Sequence, residues 1–221
     1  MNTITSCKTS WSDITVRDFL RIRDIEGLQM ASVEEKNMRV AALLAGIEYS
    51  VLEQMPLQEV RNIMDNTDFL FTEPGRVKAR RKYEVNGRVY ELFRDPSEMT
   101  VAQYIDYEAI GREGFSKMPA ELLSIFLVPR GHQYNDGYDK EEQIEDMLDL
   151  GVEEALGICD FFTKRLLSSI DKARTLLPLM IKVQRMIAPK KDKEILKALE
   201  VQTGLILDEL KDMSGLIASG R

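Results

Sequence analysis

Apolar side chains recur at three- and four-residue spacing along most of this chain, the period of helices that bury one face. One such pattern occurs twice. The run from Ile14 to Ile25 (ITVRDFLRIRDI) is answered by the run from Met99 to Ile110 (MTVAQYIDYEAI), with Thr-Val and the final Ile identical. In each copy a threonine, Thr15 or Thr100, stands where a helix N-cap hydroxyl would meet the open amides of the first turn. Asp18 or Gln103 lies three residues on, as a capping box requires. Behind the caps, Val16, Phe19, Leu20 and Ile22, and likewise Val101, Tyr104, Ile105 and Ile110, form stripes expected to be buried. Repetition at so long a period predicts two similar helical lobes rather than a solenoid.

The remaining elements follow from the same pattern. Trp11, ahead of the first cap, is expected to pack on the apolar residues behind it. Ser32-Val33-Glu34-Glu35 opens a helix with Met38, Ala41, Ala42, Leu43 and Leu44 on its apolar face, stopped at Gly46. Pro56 begins another, striped by Leu57, Val60, Ile63 and Met64, and Glu73-Pro74-Gly75 breaks the chain. Alternation of two replaces the helical period only at Arg81 to Val85 and Arg88 to Phe93. Asn86-Gly87 lies between them, so a type I′ hairpin is predicted. Met118-Pro119 starts a strongly apolar helix from Leu122 to Val128, ended by Pro129, and Pro129 to Asp139 reads as an ordered loop. An acidic helix from Lys140 to Leu150 is expected to turn Ile144, Met147 and Leu148 inward, and Val152 to Leu167 continues the lobe.

The predicted fold is therefore mainly α: two similar helical lobes (1–75 and 96–170) joined by a β-hairpin connector (76–95), with a C-terminal helical extension (171–221). An isolated hairpin is marginal in water, so it must lean on a lobe or pair with another chain. Tyr83, Val85, Val89 and Tyr90 of the hairpin are expected to contact a partner, as are Leu176, Met180, Val183 and Ile187 of the extension.

Composition narrows the function. With 221 residues, 44% of them apolar, the chain can build a core. A net charge of −7 argues against a dedicated nucleic-acid binder, although Lys172 to Lys197 is locally basic and opposes the acidic block from Asp136 to Asp149. Two cysteines, Cys7 and Cys159, make no disulfide framework, and no signal peptide precedes Trp11, so synthesis in a reducing cytoplasm is expected. No apolar run approaches the roughly 18 to 20 residues that span a bilayer, and no membrane contact is expected.

Catalysis would call for a nucleophile with its base, a metal cluster or a glycine-rich phosphate loop. His132 is the sole histidine, neither cysteine has a partner at metal-binding spacing, and no phosphate-loop or dinucleotide fingerprint is present. The carboxylates around Asp136 and Asp139 do not follow the EF-hand order. The sequence predicts no catalytic residue, no cofactor and no metal.

Four stretches together resemble a known group: Trp11 to Phe19, the hairpin Tyr83 to Tyr90, Met99 to Asp106, and Phe126 to Tyr138. They are similar to small virion and tail-assembly proteins of tailed bacteriophages, particularly crAss-like and related phages of gut bacteria. The resemblance covers residues 11 to about 167. It implies a non-enzymatic structural or cargo component at the portal or tail, made in the host bacterial cytoplasm and carried in the virion. The implied partners are portal, tail or ring proteins, with self-association as a further expectation. The alternative it implies is a tail assembly chaperone that binds tail or tape-measure protein and is absent from the mature particle.

Overall fold

The computed structural model of the protein describes residues 7–29, 32–93, 98–111, 115 and 117–165. Over these it is mainly helical with a small antiparallel sheet. A 3-10 turn at Trp11–Asp13 precedes helices α1 (Val16–Glu26), α2 (Val33–Leu44), α3 (Tyr49–Leu52) and α4 (Leu57–Asp65), and a second 3-10 turn covers Asp68–Phe71. Strands β1 (Lys82–Val85) and β2 (Arg88–Leu92) follow. Then come α5 (Val101–Gly111), α6 (Pro119–Phe126), β3 (Leu127–Pro129), α7 (Lys140–Leu148) and α8 (152–165).

Both threonine caps form. Thr15 accepts from the Asp18 amide at 3.2 Å, and the Asp18 carboxylate accepts from the Thr15 amide at 2.9 Å. Thr100 and Gln103 repeat the exchange at 3.2 and 3.0 Å. Ser32 caps α2 through the Glu35 amide, and Gly46 ends that helix with φ of 65°, its amide donating to Leu43 and that of Ile47 to Ala42. The hairpin turn is the predicted one, with φ of 51° at Asn86 and 76° at Gly87.

Contacts between residues divide the chain into one compact unit of residues 1–94 and 99–159 and a second of 95–98 and 160–221. In the first unit, α2 supplies two buried clusters. Ala41, Ala42 and Ala45 pack with Leu52, Val60 and Ile63, while Val40 and Leu44 pack with Ile14, Ile22 and Val152. The early helices are laced to the late ones by backbone pairing: Val16 donates to Leu150 at 2.9 Å and Val152 donates to Ile14 at 2.8 Å. Trp11 packs edge-on against Phe69 at 5.5 Å and donates its indole N–H to the Thr72 carbonyl. Its partner is thus 58 residues away rather than on α1 alone. In the second unit the described residues include an Asp160–Lys164 pair one helical turn apart. The predicted extension 171–221 lies outside the described residues.

Three expectations are corrected. The apolar helix stops at Phe126, and Leu127–Pro129 becomes a third strand on β2, giving the order β1-β2-β3. On α7 the buried residues are Gln143, Asp146 and Met147, with Ile144 and Leu148 only half-buried. On α5 three of the four residues expected inside, Val101, Tyr104 and Ile105, face out, and Ile110 is half-buried. Val101 is 76% exposed and Ile105 60%, whereas Val16, at the place of Val101 in the first copy, is 0% exposed. Gln103 is buried and donates its amide to the Ile125 carbonyl at 2.8 Å, while Tyr107 packs on Phe126 at 5.9 Å. Gln103 and Tyr107 turn inward the side that Asp18 and Ile22 turn inward in α1, and what α5 lacks is the second covered side that buries Val16.

Candidate interaction surface

The hairpin is fixed in place from its inner side by α7. Asp146, 3% exposed, is the centre. Its carboxylate accepts from Tyr90 Oη at 2.5 Å, from Arg88 at 2.7 Å and from Asn86 Nδ2 at 2.9 Å. Burial opposes the charge on Asp146, but the hydrogen bonds from Tyr90, Asn86 and Arg88 outweigh it and hold the carboxyl below its usual range. The Tyr90 hydroxyl is pushed the other way, by burial and then by the anionic Asp146. Arg88 also meets Glu142, Asn86 reaches Asp149 at 3.0 Å, and Arg17 of α1 bridges Glu145 at 2.7 Å and Asp149 at 3.1 Å. Much of the acidic block of α7 is therefore neutralised within the chain by Arg17 and the hairpin.

Tyr83, Val85 and Tyr90, expected to meet a partner, are 3%, 6% and 1% exposed. That expectation is corrected for their side chains, because the inner face of the hairpin is covered by the chain's own helices. Val89 is half-buried on the outer face. Leu176, Met180, Val183 and Ile187 lie outside the described residues.

The two outer edges of the sheet differ. On β3 the Leu127 carbonyl accepts from buried Gln143 Nε2 at 2.5 Å, and Pro129 has no amide to offer. On β1 the ladder alternates. Arg81, Tyr83 and Val85 turn their backbone groups toward β2, as the Leu92 to Arg81 bond at 2.9 Å marks. Lys82 and Glu84 accordingly turn theirs outward, and among the described residues no strand pairs there. Their side chains stand on the exposed face, Lys82 3.5 Å from Glu91 of β2. The basic stretch before β1 runs against α8: Gly75 donates to the Glu153 carboxylate at 3.0 Å, Val77 to the Glu153 carbonyl at 3.3 Å, and Arg80 pairs with Glu154.

The second open surface is the outward face of α5, where Val101, Tyr104 (45% exposed) and Ile105 follow one another at helical spacing. Beside it the loop after β3 is held by Tyr134, which donates to Asp106 of α5 at 2.6 Å, and by Lys140, 3.0 Å from the same carboxylate. The Tyr134 hydroxyl bond leads, with Lys140 behind it, in holding the Asp106 carboxyl below its usual range against the cost of burial. His132 packs edge-on against Tyr138 at 5.9 Å.

The outward α5 face was not readable from periodicity. Val101, Tyr104, Ile105 and Ile110 read as one stripe, but Ala102, Tyr107 and Ala109 put apolar side chains on the rest of the helix, so periodicity does not decide which side is covered. Gln103 gives no separate signal, since Asp18 at the same place in the first copy is polar and buried too.

Among the described residues no group of three or more His, Cys, Asp or Glu side chains converges so as to hold a metal ion, and no helix is long and apolar enough to cross a membrane. No family model, curated protein or solved structure matches the chain.

Proposed function

We propose that this protein is a non-enzymatic component of a tailed-phage virion, structural or carried as cargo at the portal or tail, that works by binding other proteins. The observation that carries the reading is the α5 face: Val101, Tyr104 and Ile105 lie in water while Gln103 is buried behind them. Leaving such a stripe exposed costs solubility, and an interface recovers that cost. The resemblance of residues 11 to about 167 to phage virion and tail-assembly proteins supplies the kind of partner: portal, tail or ring proteins. The polar clusters of the described residues support the same reading, since Asp146 and Asp106 each hold elements of the fold together.

Mass spectrometry of purified virions tests it. Peptides of this chain are expected in mature particles, and particles of a phage carrying Val101→Glu and Ile105→Glu are expected to lack them while the variant remains folded in the cell. Absence of the unaltered chain from particles overturns the virion role. Recovery with tail or tape-measure protein from infected cells, together with that absence, would instead identify a chaperone.

A further inference from the structure

We propose that the edge of β1, unpaired among the described residues, pairs with the same edge of a second copy, antiparallel about Tyr83, so that two three-stranded sheets join into one across a two-fold axis. The inference does not depend on the virion assignment. It starts from the alternation of the ladder: of the residues in β1, Lys82 and Glu84 turn their amides and carbonyls outward, and both are exposed. The opposite edge of the sheet is closed by Gln143 and Pro129.

Charge selects the occupant and the register. A lysine on a strand edge ordinarily repels casual pairing. An antiparallel partner must set one outward-facing residue opposite another, which leaves three symmetric registers within the strand. Centring on Lys82 puts lysine against lysine, and centring on Glu84 puts glutamate against glutamate. Centring on Tyr83 places Lys82 of each copy opposite Glu84 of the other, twice, on the exposed face. Directly opposed unlike charges on adjacent strands attract and like charges repel, so the edge rejects two registers and accepts the third. Lys82 would then stand between Glu91 of its own β2 and Glu84 of the second copy. Glu84 has no ion-pair partner among the described residues and faces Val89 on β2, so pairing gives its carboxylate an opposed cation that the described residues of the single chain do not.

The base on which this edge rests is stiff. Asn86, Arg88 and Tyr90 tie the hairpin to Asp146, and the Arg80 amide donates to Tyr83 Oη at 2.8 Å, fixing the strand where it begins. Little ordering is therefore needed on association.

Sedimentation equilibrium of the full chain from micromolar to millimolar concentration tests the proposal. A monomer–dimer equilibrium is expected, with the Lys82 and Glu84 amides gaining protection from hydrogen exchange as concentration rises. Lys82→Glu and Glu84→Lys should each weaken dimerisation on the order of tenfold or more, since each converts both attractive pairs to repulsive ones. Mixing the two single variants should restore it, because the two glutamates of one chain then oppose the two lysines of the other, and the double variant should restore it as a homodimer. A chain that stays monomeric throughout overturns the proposal. So does a dimer indifferent to the single reversals, or one that neither mixing nor the double variant recovers.

Discussion

Asp146 is a carboxylate inside the protein that remains charged because its neighbours require it. Three donors converge on it from the hairpin, so removing the acceptor leaves the buried Tyr90 hydroxyl without its partner, while the exposed Asn86 and Arg88 keep Asp149 and Glu142. Asp146→Ala is expected to cost roughly 2–4 kcal/mol in urea denaturation. Its pH dependence has a definite sign. The folded carboxyl titrates below the ordinary value of 3.8, so the stabilisation is fully present above that value and is lost as pH falls through the lower, folded one. The stability gap between the unaltered chain and Asp146→Asn should therefore be constant from about pH 5 to 7 and narrow below about pH 4. A gap that widens on acidification would contradict the assignment. Gly157 is the second single-residue dependence: a Cβ there would overlap the Val77 carbonyl oxygen of the basic stretch crossing α8. Gly157→Ala should destabilise by about 1–3 kcal/mol and speed tryptic cleavage at Lys78, Arg80 and Arg81 as that stretch lifts. Unchanged cleavage would mean the stretch is not seated there.

At the level of elements, α1 and α5 share a cap and differ in what the cap residue does next. Asp18 turns to Lys8, while Gln103 reaches the Ile125 carbonyl. Threonine, three residues and an acceptor side chain are a local rule, and the sequence carries it in full. Asp18 and Gln103, and a turn on Ile22 and Tyr107, face inward alike; whether the side of Val16 or Val101 is covered as well depends on elements far along the chain, and hydropathy holds no record of it. The same limit explains α7, where Gln143 and Asp146 go inside because the ends of α6 and β3 and the hairpin offer them hydrogen bonds. It also explains β3, since Leu127 and Val128 suit a helix or a strand and the waiting edge of β2 decides between them. The shared cap and the differing cover over Val16 and Val101 are separable by mutation. Thr15→Ala and Thr100→Ala should each cost about 1 kcal/mol. Val16→Ala should cost about 2 kcal/mol and Val101→Ala less than about 0.5 kcal/mol. Equal losses at Val16 and Val101 would show that α5 buries its stripe after all.

For the whole first unit, the decisive feature is the lacing of its beginning to its end. The predicted helices and hairpin were legible because each is specified by neighbours in sequence. The pairing of Ile14 to Val16 with Leu150 to Val152 was not, because it joins two short segments with no pattern of their own. Its consequence is cooperative: α1 and α2 share a cluster with Val152 of α8, so the early helices lose a wall of their core if the late ones are absent. A fragment of residues 1–75 alone should accordingly lack the sharp, cooperative melt of the full chain and show weak helical circular dichroism. In the intact protein the amides of Val16 and Val152 should exchange hydrogen only when the entire unit opens, at rates that fall together as stability is raised and rise together in Asp146→Ala. If Val16 exchanges markedly faster than Val152, or if residues 1–75 fold alone with a native melt, the two ends are neighbours rather than parts of one structure.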